Sequence, residues 1–274
     1  MNMGNHKPPV SQLCPPQPPF NFADLAHIMR DLRDHEHGCE WDREQDFASI
    51  APYTIEEAYE VADAIARNDM AALRDELGDL LLQTVYHAQM ATEAGSFTLD
   101  EVVTSICEKM IRRHPHVYGD AGPRDGVEQV RAWEAQKAAE RAASGQAGAL
   151  AGVAIGLPAL LRAEKLQKRA ARVGFDWPDA SGPRAKIDEE LAEVAAADDA
   201  CKADEIGDLL FSVVNWARHL GIDAEAALRG ANDRFVARFD HMENSAAGAL
   251  SAYPSDELEA LWVAAKAAQS RADS

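Results

Sequence analysis

The sequence predicts an all-α fold built from two tandem helical modules. Three observations carry that expectation. Ala is abundant while aromatic residues make up only 7% of the 274 residues. Strand-like runs of β-branched residues are missing, and apolar residues recur instead at helical spacing. Finally, Asp75-Glu76-Leu77-Gly78-Asp79-Leu80-Leu81 returns as Asp204-Glu205-Ile206-Gly207-Asp208-Leu209-Leu210, an offset of 129 residues (75 to 204). Each copy follows an acidic cluster, Glu56-Glu57-x-x-Glu60 or Glu189-Glu190-x-x-Glu193. A repeat of this kind means one supersecondary unit written twice.

Residues 1–19 are rich in Pro and read as a disordered or polyproline-like tail. The first module is expected over 20–142. It opens with a helix over Phe22–Arg33, with Leu25, Ile28, Met29 and Leu32 on one face. A loop over Asp34–Pro52 follows, containing Gly38-Cys39-Glu40-Trp41-Asp42. Thr54 reads as the N-cap of the next helix, Glu56–Ile65, with Glu57 closing a capping box. That role competes with Glu57 as a metal ligand, and the ligand role is preferred. The helix of Glu76 and Asp79 then runs to Glu93 and stops near Gly95. Thr98–Arg113 is a further amphipathic helix, ended by His114-Pro115-His116 because Pro disfavours helix in the residue before it. A helix over Val127–Arg141 carries Trp133-x-x-x-Lys137.

Residues 143–156, rich in Ala and Gly, form the expected linker, and the second module spans 157–274. Its helices read as Pro158–Arg172, Pro183–Ala196, Ala203–Leu220, Ala224–Met242 and Asp256–Ser270. Gly174-Phe175-Asp176-Trp177 answers the Cys39–Asp42 loop, and Trp262-x-x-x-Lys266 answers Trp133-x-x-x-Lys137. A module this small buries little apolar surface, so dimerisation is expected.

The formal net charge is −19, from 27 basic and 46 acidic residues. Such a field disfavours nucleic acid, whose binding needs a basic surface. Cys14, Cys39, Cys107 and Cys201 show no C-x-x-C spacing and read as free thiols of a reducing compartment. No apolar run reaches the roughly 20 residues of a membrane helix, and no signal-peptide core opens the chain. A cytoplasmic protein is the expectation.

The chemistry lies in the acidic repeat. Residues three and four apart share a helix face, so Glu57 points with Glu60, and Glu76 with Asp79. Leu77, Leu80, Leu81 and Val85 form an apolar stripe beside them, and a stripe seeks a partner helix. Antiparallel packing of the two helices brings four carboxylates together. Their repulsion raises their pKa values unless a cation intervenes. An all-oxygen ligand set suits Mg²⁺ or Mn²⁺. Gly78 and Gly207 cost about 1 kcal/mol each inside a helix, and a close backbone approach beside the ligands is the expected reason for them. A single acidic pair is ordinarily a solvated helix face. Two pairs per module, repeated beside apolar stripes, point to metal sites.

Competing patterns fail. Glu-x-x-His, His-Glu-x-x-His, the P-loop and Gly-x-Ser-x-Gly are all absent from the sequence. His114 and His116 flank a Pro beside Arg112-Arg113, which favours a structural or phosphate-contact role. A carboxylate-only centre needs a substrate that brings oxygen ligands, as polyphosphates do. Lys186, Arg234, Arg238 and Lys266 could supply cations, each being equally an ordinary surface residue. Trp262 reads as core with ligand contact.

The doubled E-E-x-x-E and E-x-x-D motifs, the Trp-x-x-x-Lys helices, Arg112-Arg113-His114-Pro115-His116-Val117 and Asn232-x-x-Phe235-x-x-Arg238 together resemble the MazG family of nucleoside triphosphate pyrophosphohydrolases. The resemblance covers Phe20 to about Arg271. Glu40 departs from it, standing where the family has Pro in Cys-Pro-Trp-Asp. The resemblance implies Mg²⁺-dependent hydrolysis of an NTP or dNTP between the α and β phosphates, giving a monophosphate and pyrophosphate. It implies Glu190, Glu193, Glu205 and Asp208 as metal ligands, with Glu57, Glu60, Glu76 and Asp79 as first-module equivalents. It further implies nucleotide contacts from Lys186, Arg234, Arg238, Trp262 and Lys266. Glu189 is the spare carboxylate, placed to hold the attacking water or to remain solvated. Tyr53 replaces the Lys186 cation in the first module, so the second is expected to carry most of the turnover. Two rivals stand beside this reading: a narrower hydrolase acting on dUTP or an alarmone, and a non-catalytic nucleotide sensor.

Overall fold

The structure is a computed structural model of the chain. It describes residues 13–119 and 148–272, with 122, 126, 128, 129, 132, 133, 136, 137 and 140 between them. Every regular element among the described residues is helical. The chain divides into two compact units, the first ending at Trp133 and the second beginning at Glu134.

In the first unit, α1 (Phe22–Leu32) starts at a reciprocal cap between Asn21 and Asp24. The expected loop after it is not wholly irregular. A short helix, α2 (Glu40–Glu44), forms within it. The next helix also begins earlier than the sequence suggests: α3 spans Phe47–Ala66. Its cap is Asp46, whose side chain and that of Ser49 bond each other's backbone N–H. Thr54 is therefore not an N-cap, and no capping box draws on Glu57. The Thr54 hydroxyl lies 3.0 Å from His87 Nε2 instead. Asn68, at φ 54°, helps reverse the chain into α4 (Met70–Glu93), capped by Asp69. The turn makes α3 and α4 an antiparallel hairpin, the main helix pairing of this unit. α1 packs on α4 around a cluster of Met29, Ile50, Val85, Tyr86 and Met90. α5 (Leu99–Arg113) and α6 (Pro115–Tyr118) follow, with Pro115 at the first helical position.

In the second unit, α7 (Ala159–Ala171) leads to the hairpin of α8 (Ser181–Ala196) and α9 (Lys202–His219). α10 (Ala224–Ser245) and α11 (Ser255–Ala272) pair with each other. The expected 143–156 linker is described from Gly148 onward. There Ala151 O accepts a bond from Arg169 Nη1 at 3.0 Å. Residues 1–12 of the expected tail lie outside the described residues, as does much of the Val127–Arg141 helix. From Leu13 the chain is irregular, and Leu13, Pro15 and Pro16 share a cavity with Ile28 and Leu32 of α1. All four cysteines are free and exposed.

Gly78 and Gly207 correct a second expectation. A Cβ built at either position meets no atom within 4 Å, so no close backbone approach requires them. Both sit in helix interiors beside the acidic residues. Gly207→Ala is expected to raise stability by about 0.5–1 kcal/mol, because Ala restricts the unfolded chain and favours helix. Chemical denaturation checks this. A gain in stability with lost catalysis would mark the open space as one that a ligand or second chain enters.

Candidate metal centre and its surroundings

Each hairpin gathers carboxylates from its two helices. In the first unit, one oxygen each from Glu57 (α3), Glu76 and Asp79 (α4) lie within 4.8 Å of one another. In the second, Glu190 (α8), Glu205 and Asp208 (α9) do the same. The helical period explains both. A spacing of three aligns the pair on the second helix, and the hairpin turn brings the first helix alongside.

The electrostatic cost is visible. Burial pushes the Glu57 carboxyl up, and Glu60, Asp79 and Glu76 push it further. Glu76 is likewise raised, by desolvation and then by Glu60 and Asp79. Glu60 and Glu193, the fourth carboxylate expected in each set, lie outside the two groups of three, and Glu60 acts on the first group as a charged neighbour. Glu193 is raised by desolvation and by Glu190, with Lys186 opposing. Glu190 is only 3% exposed, and its Oε2 has no hydrogen-bond partner among the described residues. A buried carboxylate oxygen without a donor is costly. An oxygen-coordinated divalent cation removes both the repulsion and the orphaned acceptor, so the residues fit such an ion.

The two units differ in their cations. Lys186 Nζ sits 2.8 Å from Glu189 Oε1 and 2.7 Å from Glu190 Oε1. Those two glutamates hold its ammonium pKa above the usual lysine value. Tyr53 stands at the matching position of α3, one turn before Glu57, and is half exposed. The other predicted nucleotide contacts lie on α10 and α11. Arg234 lies exposed on α10. Arg238 bonds Gln269 Oε1 at 2.7 Å and lies over the Trp262 ring, which also packs on Phe235. Lys266 is exposed on α11. None of the four lines the cavity beside Glu190 and Asp208.

Lys186 lines that cavity together with Glu190 and Asp208, but sequence reasoning did not single out the other polar groups of its wall as site residues. Gln167 from α7 and Asn215 from α9 are each 6% exposed, and they join Asp176, Trp177 and Arg218 in the wall. Arg218 grips Asp176 through Nη1 and Nη2, at 3.0 and 2.5 Å, and holds its carboxyl below the ordinary range. One signal was available: Asn215 falls 129 residues after Tyr86, a polar residue where the first copy has a core aromatic.

Residues 45–118 match the MazG nucleotide pyrophosphohydrolase domain. The nucleoside triphosphate pyrophosphohydrolase of Escherichia coli K12 is 47% identical over 247 residues, covering 87% of this chain and 94% of that protein. The nucleoside triphosphate pyrophosphohydrolase/pyrophosphatase MazG of Thermotoga maritima is 44% identical over 249 residues, 89% of this chain and 95% of that protein. The nucleoside triphosphate pyrophosphohydrolase of Mycolicibacterium smegmatis is 30% identical over 261 residues, 94% and 74% of the two chains. With carboxylate hairpins in both units and the Escherichia coli and Thermotoga maritima relatives matched along nearly their whole length, the chain belongs to the MazG family of nucleotide pyrophosphohydrolase enzymes.

Proposed function

We propose that the chain hydrolyses nucleoside triphosphates between the α and β phosphates, releasing a nucleoside monophosphate and pyrophosphate, and that Mg²⁺ is the working cation. The observation that carries this reading is the Glu190–Glu205–Asp208 cluster, with its buried orphan oxygen and Lys186 beside it. Glu190, Glu193, Glu205 and Asp208 would hold the ion in the second unit, and Glu57, Glu60, Glu76 and Asp79 in the first. When bound, the ion neutralises phosphate charge and polarises the phosphoryl oxygens.

The chain's own groups do the rest. Lys186 offsets the acidic field that would otherwise repel a triphosphate. Glu189, half exposed and bridged to Lys186, accepts a proton from the attacking water as its oxygen bonds to phosphorus. The α–β bridging bond breaks, and pyrophosphate leaves with the bridging oxygen. Arg234, Arg238, Trp262 and Lys266 act on the nucleotide in an assembly of two chains. Dimerisation is the partner reading, supported by apolar side chains left uncovered on the hairpins: Leu77 is 49% exposed and Leu210 51%. Among the described residues no helix is long and apolar enough to cross a membrane. The cytoplasm is the proposed location.

A panel of NTPs and dNTPs assayed for pyrophosphate, with Mg²⁺ and with chelator, tests the function. Several substrates are expected to yield pyrophosphate, and chelator is expected to stop the reaction. Turnover of a single base would indicate a narrower hydrolase. Orthophosphate as the first product would overturn the cleavage site.

A further inference from the structure

Helix α7 and its C-cap Arg172 border two different cavities. Leu166, Gln167 and Ala170 line the one beside Glu190 and Asp208. Lys165, Lys168, Arg169 and Arg172 line another, of about 480 Å³, and the two cavities share no wall residue. The four cations follow the spacing i, i+3, i+4, i+7, which puts them on one helix face. Such a stripe is ordinarily apolar, and like charges so spaced oppose the helix. The helix dipole favours cations in the last turn, but Lys165 lies before that turn, and the dipole accounts for no hollow. Lys137 adds a fifth cation to the wall. Glu164, 2.6 Å from Lys168 Nζ, is the acidic residue of that wall. In a chain of net charge −19, this is a local reversal of sign. Backbone completes the enclosure. Gly152, at φ 76°, opens the segment of the wall that runs to Leu157. Arg169 Nη1 ties that segment to α7 through Ala151 O, at 3.0 Å. Every wall residue lies in the second unit.

We propose that the basic cavity binds an oligophosphate, an anion with a di- or triphosphate chain, without the help of the metal centre. Positions 165 to 172 extend over roughly 10 Å of helix axis. A row of charge of that length matches a chain of phosphates better than a single tetrahedral anion. Arg169 and Arg172 supply planar forks that bond phosphate oxygens in pairs, and the lysines supply compact charge. A hollow of this volume suits a small molecule. Nucleic acid does not fit, because the chain as a whole is acidic and a duplex needs an extended basic surface. Two sources share the chemistry: free oligophosphates and the phosphate tail of a nucleotide. Binding here involves no turnover, so the proposal does not depend on the hydrolase reading.

Metal-free protein, stripped over a chelating resin, is titrated by calorimetry with tripolyphosphate, pyrophosphate and orthophosphate. Without divalent ions the carboxylate clusters repel these anions, so binding reports on the basic cavity. One tripolyphosphate per chain is expected, held at least about tenfold more tightly than orthophosphate, since each charge-assisted bond counts on that scale. The double variant Lys165→Gln, Arg172→Gln changes two exposed residues and should weaken tripolyphosphate by about tenfold or more. Lys168→Gln, at a side chain 52% exposed, carries the test if the double variant does not fold. Lys186→Gln, beside the metal centre, should bind tripolyphosphate as the natural protein does. ATP in the same titration separates the two sources. Affinity equal to that of tripolyphosphate assigns the cavity to a nucleotide tail, and weaker binding assigns it to a free oligophosphate. Absence of tripolyphosphate binding to the metal-free protein overturns the proposal. So does binding that survives the folded α7 variants, or binding that Lys186→Gln abolishes, which would put the anion at the metal centre instead.

Discussion

Glu205→Ala is expected to lower pyrophosphate release by about 10²–10³-fold, the range for removing one electrostatic contributor to a transition state, whereas Glu76→Ala is expected to leave it within a few-fold. The two residues occupy matching positions in the repeat, and each lies in a group of three carboxylates with one oxygen apiece within 4.8 Å of the others. The clusters differ in what surrounds them. In the second unit Lys186 bridges Glu189 and Glu190, and the cavity holding Gln167 and Asn215 adjoins Glu190 and Asp208. In the first, Tyr53 takes the place of the lysine, and Tyr86 takes the place of Asn215 within a packed core. A triphosphate approaching the first cluster meets carboxylates without that neighbouring cation. Mn²⁺ titration of both variants keeps the result interpretable. Each substitution should weaken one set of ion sites, yet only Glu205→Ala should cut turnover by that factor. A larger loss from Glu76→Ala would end the proposed division of labour.

The carboxylate clusters were legible because helical period and a hairpin turn are both local properties of sequence. Spacing alone makes Glu57 a ligand candidate, and α3 and α4 bring one of its oxygens within 4.8 Å of Glu76 and Asp79 oxygens. The start of its helix was misread for a physical reason. Pro52 looks like a boundary, since it removes a helical hydrogen bond at a cost of about 3 kcal/mol. It stands inside α3 all the same, where the Asp46–Ser49 cap and the burial of Ile50 to 2% exposure offset that cost. The open space at Gly78 and Gly207 was equally invisible, because glycine type alone does not distinguish a tight contact from a vacant one. The Gln167–Asn215 wall was hidden for a third reason. It joins α7 to α9 across 48 positions, and no periodicity in either helix announces the meeting.

Another long-range meeting ties the first unit together, and its loss should have a large effect on stability. Arg33 is 8% exposed at its side chain. Its Nε and Nη2 donate to the Glu93 carboxylate at 3.0 and 2.8 Å, and Nη1 donates to the carbonyls of Asp42 and Gln45, at 3.2 Å for the latter. The guanidinium also lies 5.5 Å from the Tyr86 ring centroid. One side chain thus ties the end of α1, the α2 segment and the end of α4. Glu93→Ala leaves that guanidinium without its counter-ion and is expected to cost about 3 kcal/mol, the lower end for breaking a buried pair because Glu93 keeps some solvent contact. The melting temperature should fall by on the order of 10 °C. The pH dependence gives an independent check. Burial pushes the Glu93 carboxyl up, but Arg33 and Gln89 overcome it and leave its pKa below the ordinary glutamate value. A carboxyl depressed by folding stabilises the protein above its unfolded pKa, near 4.3, and that contribution disappears as pH falls through the folded value. The gap in stability between the natural protein and Glu93→Gln should therefore be full at neutral pH and narrow below pH about 4. A gap that persists unchanged into strong acid would mean that Glu93 acts by packing, with its charge on Arg33 contributing nothing.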